Sequence, residues 1–547
     1  MQMKKIIPYL LPLLFSSCIN EWIDDRDPLT FKETTIETTD DLERLVTGAY
    51  FILSSDKNAL QDNPTAIYNM MSDNVVLLSD NPYMSDDNYK IYSRQTTENN
   101  ISAITSVWTI GYKLANSASI PITYVTQHGR PADPQKQLDR ILGEAYFLRS
   151  FAHFTLIRLF AKPYSTANRT MPGIVIKREA AANGEGQTIS TIGEVYDFII
   201  EDLTNALTLL PEKYDATLHP SYYATDARVK RDAARFLLAC VYFQMGSDAE
   251  INGQKAWALA VPLMNTIIDN TEGISKRTYS LADPDDVWLS YPGQPAPAEI
   301  VWEYSNLEWK NQKIVQSFLA NKSALTGSSP RDRIFPLSNH LLTDAGWRIP
   351  TSSSDTAGIH DKRYLQLYLY LDPATDVTEG TYFQNLEKPY IWANMFAGYA
   401  NDSSLFKGYR VKDDILQVNS NSKCNIKTPM MRIGELQLLR ATIFASGVVP
   451  GDPKNDMDKI LIRANRTSDI RSAYSLEDVI REHRRETAFE GKRINYLQAL
   501  RKTIPAGDSP SDNPHLRVTR ENLTWDSEKL YWPVPNEEEI RNPNIYE

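Results

Sequence analysis

The chain has 547 residues, 42% hydrophobic and 23% charged, with a net charge of -11 and a sequence pI near 5.3. That balance is ordinary for a folded globular protein. It excludes a nucleic-acid partner, which needs a basic footprint to displace counterions from phosphates. Twenty-nine Tyr and ten Trp are the unusual item, because both are amphipathic and recur where a surface binds something.

The first element is a secretion signal with a lipid-attachment Cys. Lys4 and Lys5 precede an apolar stretch from Ile6 to Phe15, which closes on Ser16-Ser17-Cys18. The stretch is about half of the roughly 20 residues a membrane-spanning helix needs, and Pro8 and Pro12 interrupt it. Residues 1–17 therefore read as a signal peptide, Cys18 as the acylated residue and 18–38 as an acidic tether. Several acyl chains hold a protein to a membrane where one does not.

Helices are expected from Thr39-Asp40, from Ser106 to Val125, from Leu138 to Phe160 and from Ile192 to Leu210. Two more are expected from Lys230 to Met245 and from Ala256 to Ile268. The third is the clearest, with Leu138, Ile141, Leu142, Ala145, Leu148, Ala152, Leu156 and Leu159 recurring at three- and four-residue intervals. From 275 to 428 the helical rhythm fades into Pro, Gly, Ser, Asp and Asn, with a short strand at Glu299 to Tyr304. Long irregular insertions are where function usually sits. Helices return at Pro429 to Ser446, Met457 to Ala464 and Leu476 to Arg501. The early helices expose apolar stripes that the late ones can cover. The expectation is thus a mainly α fold of tetratricopeptide-like helix pairs, with 39–547 as one domain, a scaffold of 40–270 and 429–501, and a loop-rich insertion of 275–428.

Catalytic signatures are missing from the sequence: the seven His are scattered, and there is no Gly-x-Ser-x-Gly elbow and no Walker loop. Glu482, His483 and Glu486 share a helix, but the neighbouring Arg481, Arg484 and Arg485 make a solvated charged face the expected reading. Cys240, in an apolar run, reads as a buried thiol; nothing in the spacing pairs it with Cys424. A sugar site needs flat aromatic surfaces beside polar groups. The aromatics in loop-like sequence are Tyr83, Trp288, Tyr291, Trp309 and Trp347, and these five are the candidate ligand-binding residues.

Five segments, in order, resemble the RagB/SusD family of nutrient-binding outer-membrane lipoproteins. They are Trp108 to Asn116, Gly143 to Phe160, Thr428 to Ala441, the block Arg481-Glu-His-Arg-Arg-Glu-Thr-Ala-Phe-Glu-Gly-Lys-Arg493, and Leu530-Tyr-Trp-Pro-Val-Pro-Asn. The resemblance implies a helical scaffold with a variable loop-rich face and a surface lipoprotein anchored in the outer membrane. It also implies a SusC-like TonB-dependent transporter as partner and a glycan as ligand, with no cofactor. Two other classes stay open at this point: a peptide or other nutrient binder on the same scaffold, and a surface glycan-active enzyme.

Overall fold

The computed structural model describes residues 36–55, 60, 62–79, 85–97, 99–131, 137–180, 186–213, 215, 227–270, 278–288, 296–305, 335–349, 351, 359–371, 390–393 and 427–546. Cys18, Tyr83, Tyr291, Trp309 and Cys424 lie outside the described residues. Thr38–Glu547 forms one compact unit.

This unit is mainly helical. Its first eight helices are α1 Thr39–Ser55, α2 Asp62–Met71, α3 Asp86–Tyr92, α4 Ser102–His128, α5 Leu138–Phe160, α6 Ile192–Leu209, α7 Arg231–Met245 and α8 Ala256–Ile268. Neighbours pack in a chain of antiparallel pairs, α1 on α4, α4 on α5, α5 on α6, α6 on α7 and α7 on α8. The apolar stripe of α5 explains its central place: Leu138, Ile141, Ala145, Phe147, Leu148 and Leu156 are all fully buried. Local chemistry sets the boundaries. Thr191 and Glu194 form a reciprocal capping box that starts α6. Thr38 and Asp41 exchange the same kind of bonds at the start of α1, one residue before the cap expected at Thr39.

The late helices continue the stack. α9 Pro284–Trp288, α10 Asn339–Ala345 and α11 Lys362–Leu367 belong to the expected insertion. α12 Ile433–Ala445, α13 Lys454–Arg463, α14 Leu476–Thr487, α15 Arg493–Ala499 and α16 Asn536–Arg541 follow. α12 packs on α8, α13 and α14, and α15 packs on α7 and α2, so late helices cover early ones. Two helices expected from the sequence are shorter than predicted. Lys427–Arg432 is a strand, and α14 ends at Thr487, with a turn before α15. Gly491 makes that turn with φ of 69°, and a Cβ there would sit 2.8 Å from the Thr65 backbone.

Among the described residues, three two-stranded ladders complete the frame. β1 Glu250–Ile251 pairs with β2 Gln254–Lys255, and β4 Tyr368–Leu371 pairs with β5 Tyr390–Ala393. β3 Ile300–Ser305 runs antiparallel to β6 Lys427–Arg432, pairing Ile300 with Arg432 and Ser305 with Lys427, with the register shifting on either side of Trp302. Trp302 of β3 is fully buried, edge-on to Phe147 and Phe151 of α5 at 5.1 and 5.4 Å.

Candidate functional site

Two of the five predicted ligand aromatics are described, and both are interior. Trp288, the last residue of α9, is 3% exposed. Trp347 is 6% exposed, donates its indole N–H to Asp361 Oδ2 at 3.1 Å and stacks on Tyr364 with centroids 4.9 Å apart. Neither offers an open indole face to a sugar ring. The Gly-rich context that made Trp347 look like loop is a helix end: Gly346 takes a left-handed C-cap that turns the chain back onto α10. Both rings anchor the base of the insertion.

The expected solvated face of α14 is likewise corrected. Glu482, His483, Arg484 and Glu486 are 0%, 1%, 1% and 5% exposed. They tolerate burial because each charge is met by an opposite one on another element. Arg432 of β6 reaches Glu299 at 2.9 Å and also pairs with Glu486 and Glu490. Arg363 of α11 bonds Glu486 at 2.8 Å and forks onto Asp361. Arg463 of α13 pairs with Glu486 as well. Burial opposes ionisation of Glu486, but Arg463, Arg432 and Arg363 together hold its carboxyl far below the usual range. Asp73 is held low in the same way: burial opposes its charge, and Arg484, 2.9 Å away, and Arg493 outweigh it. His483 is pushed well down by burial and the nearby Arg493, so it stays neutral, stacked 3.6 Å from Tyr496. This network closes the insertion onto the scaffold. Among the described residues no group of three or more His, Cys, Asp and Glu is placed to hold a metal ion.

Cys240 is free and half-buried, and burial pushes its thiol up to about 12, which makes it unreactive at neutral pH.

The arrangement with binding chemistry is a groove of about 500 Å³ between the first turns of α4 and the start of α16. Ser102, Thr105, Ser106 and Thr109 line one wall, with Asn99 and Asn100 before them and Asn536 opposite. Ser102 and Thr109 are exposed, and Thr105 and Ser106 are half-buried. The walls are fixed from behind. Asn536 donates its backbone N–H to Asn99 O at 3.1 Å, and Ser102 N–H bonds Asp87 Oδ2 at 3.1 Å. Trp108 is buried against Phe160 and Tyr112 and donates its indole N–H to Glu538 at 3.3 Å. Ile110 and Glu537 complete the lining, and its hydroxyls and amides both donate and accept hydrogen bonds. The groove was missed because the search followed aromatics. Its signal is present in the sequence: polar residues at 102, 105, 106 and 109 repeat the i, i+3, i+4, i+7 spacing of one helix face.

The structure is a helical frame that presents a polar groove, with a loop-rich insertion tied to it, and known proteins share that fold. Residues 21–238 match the SusD-like family model described as starch-binding, associating with outer membrane. A SusD superfamily protein from Bacteroides thetaiotaomicron shares the fold with a TM-score of 0.69 at 17% identity, covering 93% of this chain and 99% of that one. A SusD-like carbohydrate binding protein from Bacteroides vulgatus gives 0.63 at 15% identity, with 93% and 98% covered. Surface glycan-binding protein A from Bacteroides uniformis gives 0.65 at 17%, with 92% and 98% covered. No curated protein matches the chain. The family-model match covers the first part of the chain, and the fold of the SusD superfamily structures runs along nearly its whole length.

Proposed function

We propose that this protein binds a glycan at the cell surface and passes it to a TonB-dependent transporter of the SusC type, held to the outer membrane by lipid on Cys18. The observation that carries the glycan reading is the Asn/Ser/Thr groove on a fold shared with a carbohydrate binding protein and a surface glycan-binding protein. The family model's description supports the outer-membrane location. No described helix is long and apolar enough to cross a membrane. In this reading Asn100 and Thr109 bond sugar hydroxyls, and Tyr83, Tyr291 and Trp309 supply the aromatic faces that Trp288 and Trp347 do not.

The test is calorimetric titration of the protein with a panel of oligosaccharides, starting with maltoheptaose, and of oligopeptides. Saturable binding of a sugar is expected, weakened by about 1–3 kcal/mol in Trp309→Ala and in the Asn100→Ala/Thr109→Ala pair. A panel in which only peptides bind would overturn the glycan reading. Cys18→Ala should move the protein from the membrane to the soluble fraction.

A further inference from the structure

A second recess lies between the end of α13, the connection of residues 464–475 and α14. It has about 220 Å³ of space, and four arginines line it: Arg466, Arg471, Arg481 and Arg485. Three carboxylates, Asp469, Asp478 and Glu482, share the lining. A count of charges alone would call this a balanced surface network. The hydrogen bonds show otherwise.

The carboxylates are already engaged. Asp469 Oδ2 accepts from both Nε and Nη2 of Arg466 at 2.9 and 2.6 Å. Glu482 Oε2 accepts from Arg485 Nη1 at 2.8 Å. Asp478 caps α14 through the N–H and hydroxyl of Ser475 and takes Arg471 Nη1 at 2.9 Å. Tyr474 gives its hydroxyl proton to Asp458. The guanidinium donors are not used up. Arg485 is 8% exposed and spends Nε on Ala345 O and Nη1 on Glu482, while its Nη2 has no partner among the described residues. Arg481 comes no nearer to a carboxylate than 3.8 Å, outside hydrogen-bond range. Arg471 keeps Nε and Nη2 unpaired. The recess thus holds an excess of fixed N–H donors with no acceptor, one of them on a side chain more than nine-tenths buried. Arginine does not discharge the mismatch by losing its proton. Burial, with the facing Arg466 and Arg363, pushes Arg485 down despite Glu482.

We propose that this recess is an oxyanion-binding site, taking a sulfate or carboxylate group through Arg471, Arg481 and Arg485. Guanidinium forks match the paired oxygens of either group, and charge-assisted bonds of this kind are about twice as strong as neutral ones. The ligand class is a small anion or an acidic sugar. The site is separate from the Asn/Ser/Thr groove and does not rest on what that groove binds.

The experiment is titration of the full chain with sodium sulfate, sodium galacturonate and galactose, with chloride balancing ionic strength. Sulfate or galacturonate should bind saturably and galactose should not. Binding should weaken at least tenfold in the Arg471→Gln/Arg481→Gln variant. Those side chains are 56% and 41% exposed, so the fold should stay intact by circular dichroism. Galacturonate displaced by sulfate assigns the site to sugar acids; sulfate binding alone assigns it to sulfate or its esters. No saturable binding of either anion, or a double variant that binds like the parent, overturns the proposal.

Discussion

Two seams hold this protein together, and they are made of opposite materials. Between α4, α5 and α6 the seam is mostly apolar, with Leu114, Phe147, Leu148, Leu156, Ile199 and Leu203 excluding water around a buried fork of Arg149 on Asp202. Between β6, α11, α13 and α14 it is ionic, with Arg363, Arg432 and Arg463 threaded among Glu299, Glu486 and Glu490. An apolar contact needs only shape, so it suits the repetitive stacking of helix pairs. A buried ion pair stands only when every partner is in position, so the late seam fixes one arrangement of the insertion on the scaffold. Such pairs add little net stability, but losing one member is costly.

The difference is sharpest at Arg432. Arg432→Leu leaves Glu490 without its arginine, strips one partner each from Glu299 and Glu486, and should cost about 3–5 kcal/mol in urea unfolding. A cost below about 1 kcal/mol would mean that the ionic seam is not closed as described. In the apolar seam the vulnerable group is a titratable one kept neutral. His153 of α5 accepts the Lys177 N–H at Nε2, 3.0 Å, and bonds Arg149 O through Nδ1, 2.8 Å. Both ring nitrogens are satisfied only in the neutral form. Burial above all pushes its pKa down to about 4, with Arg149 and Arg178 adding to the effect. The unfolded chain takes up this proton first, near the ordinary 6.5, so the stability His153 contributes is complete above that value. It is lost as pH falls toward 4. Roughly 3 kcal/mol is at stake over that window. His153→Gln should flatten the fall. The readout is parent minus variant, because Asp202, pushed up to about 6 by burial against the pull of Arg149, titrates in the same range in the opposite sense. Equal slopes in parent and variant would remove His153 from the account. The smallest effect concerns fit. A Cβ on Gly111 would meet Leu156 Cδ2 at 2.7 Å, where α4 crosses α5. Gly111→Ala should cost roughly 1–2 kcal/mol by overpacking, less the helix gain of Ala. A stabilised variant would show that the helices can part.

The two seams also differ in how far the sequence reveals them. The apolar one is written in α5 as a 3.6-residue stripe, and the helix runs from Leu138 to Phe160 as expected. The Phe147, Phe151 and Phe154 rings of the same helix form core. The ionic seam differs from the solvated face expected of it because charge ordinarily means exposure, and nothing in the run Arg481 to Arg493 says that its partners wait at positions 73, 344, 363, 432 and 463. That information is tertiary. The same limit applies to the binding surfaces. Trp288 and Trp347 looked available because Gly and Pro surround them, whereas the polar face of α4 carried its own periodicity and lacked only a reason to be noticed.

The β3–β6 ladder has a consequence for how such a molecule changes over time. Ser305 and Lys427 sit opposite each other, so everything between them departs and returns through one doorway. Lengthening a chain between two fixed neighbouring points costs little, about 0.6 kcal/mol per doubling. The frame therefore does not register how much sequence passes through that doorway. The tied residues Asp344, Asp361 and Arg363 must keep their places, and sequence between them can change in length without moving Ser305 or Lys427.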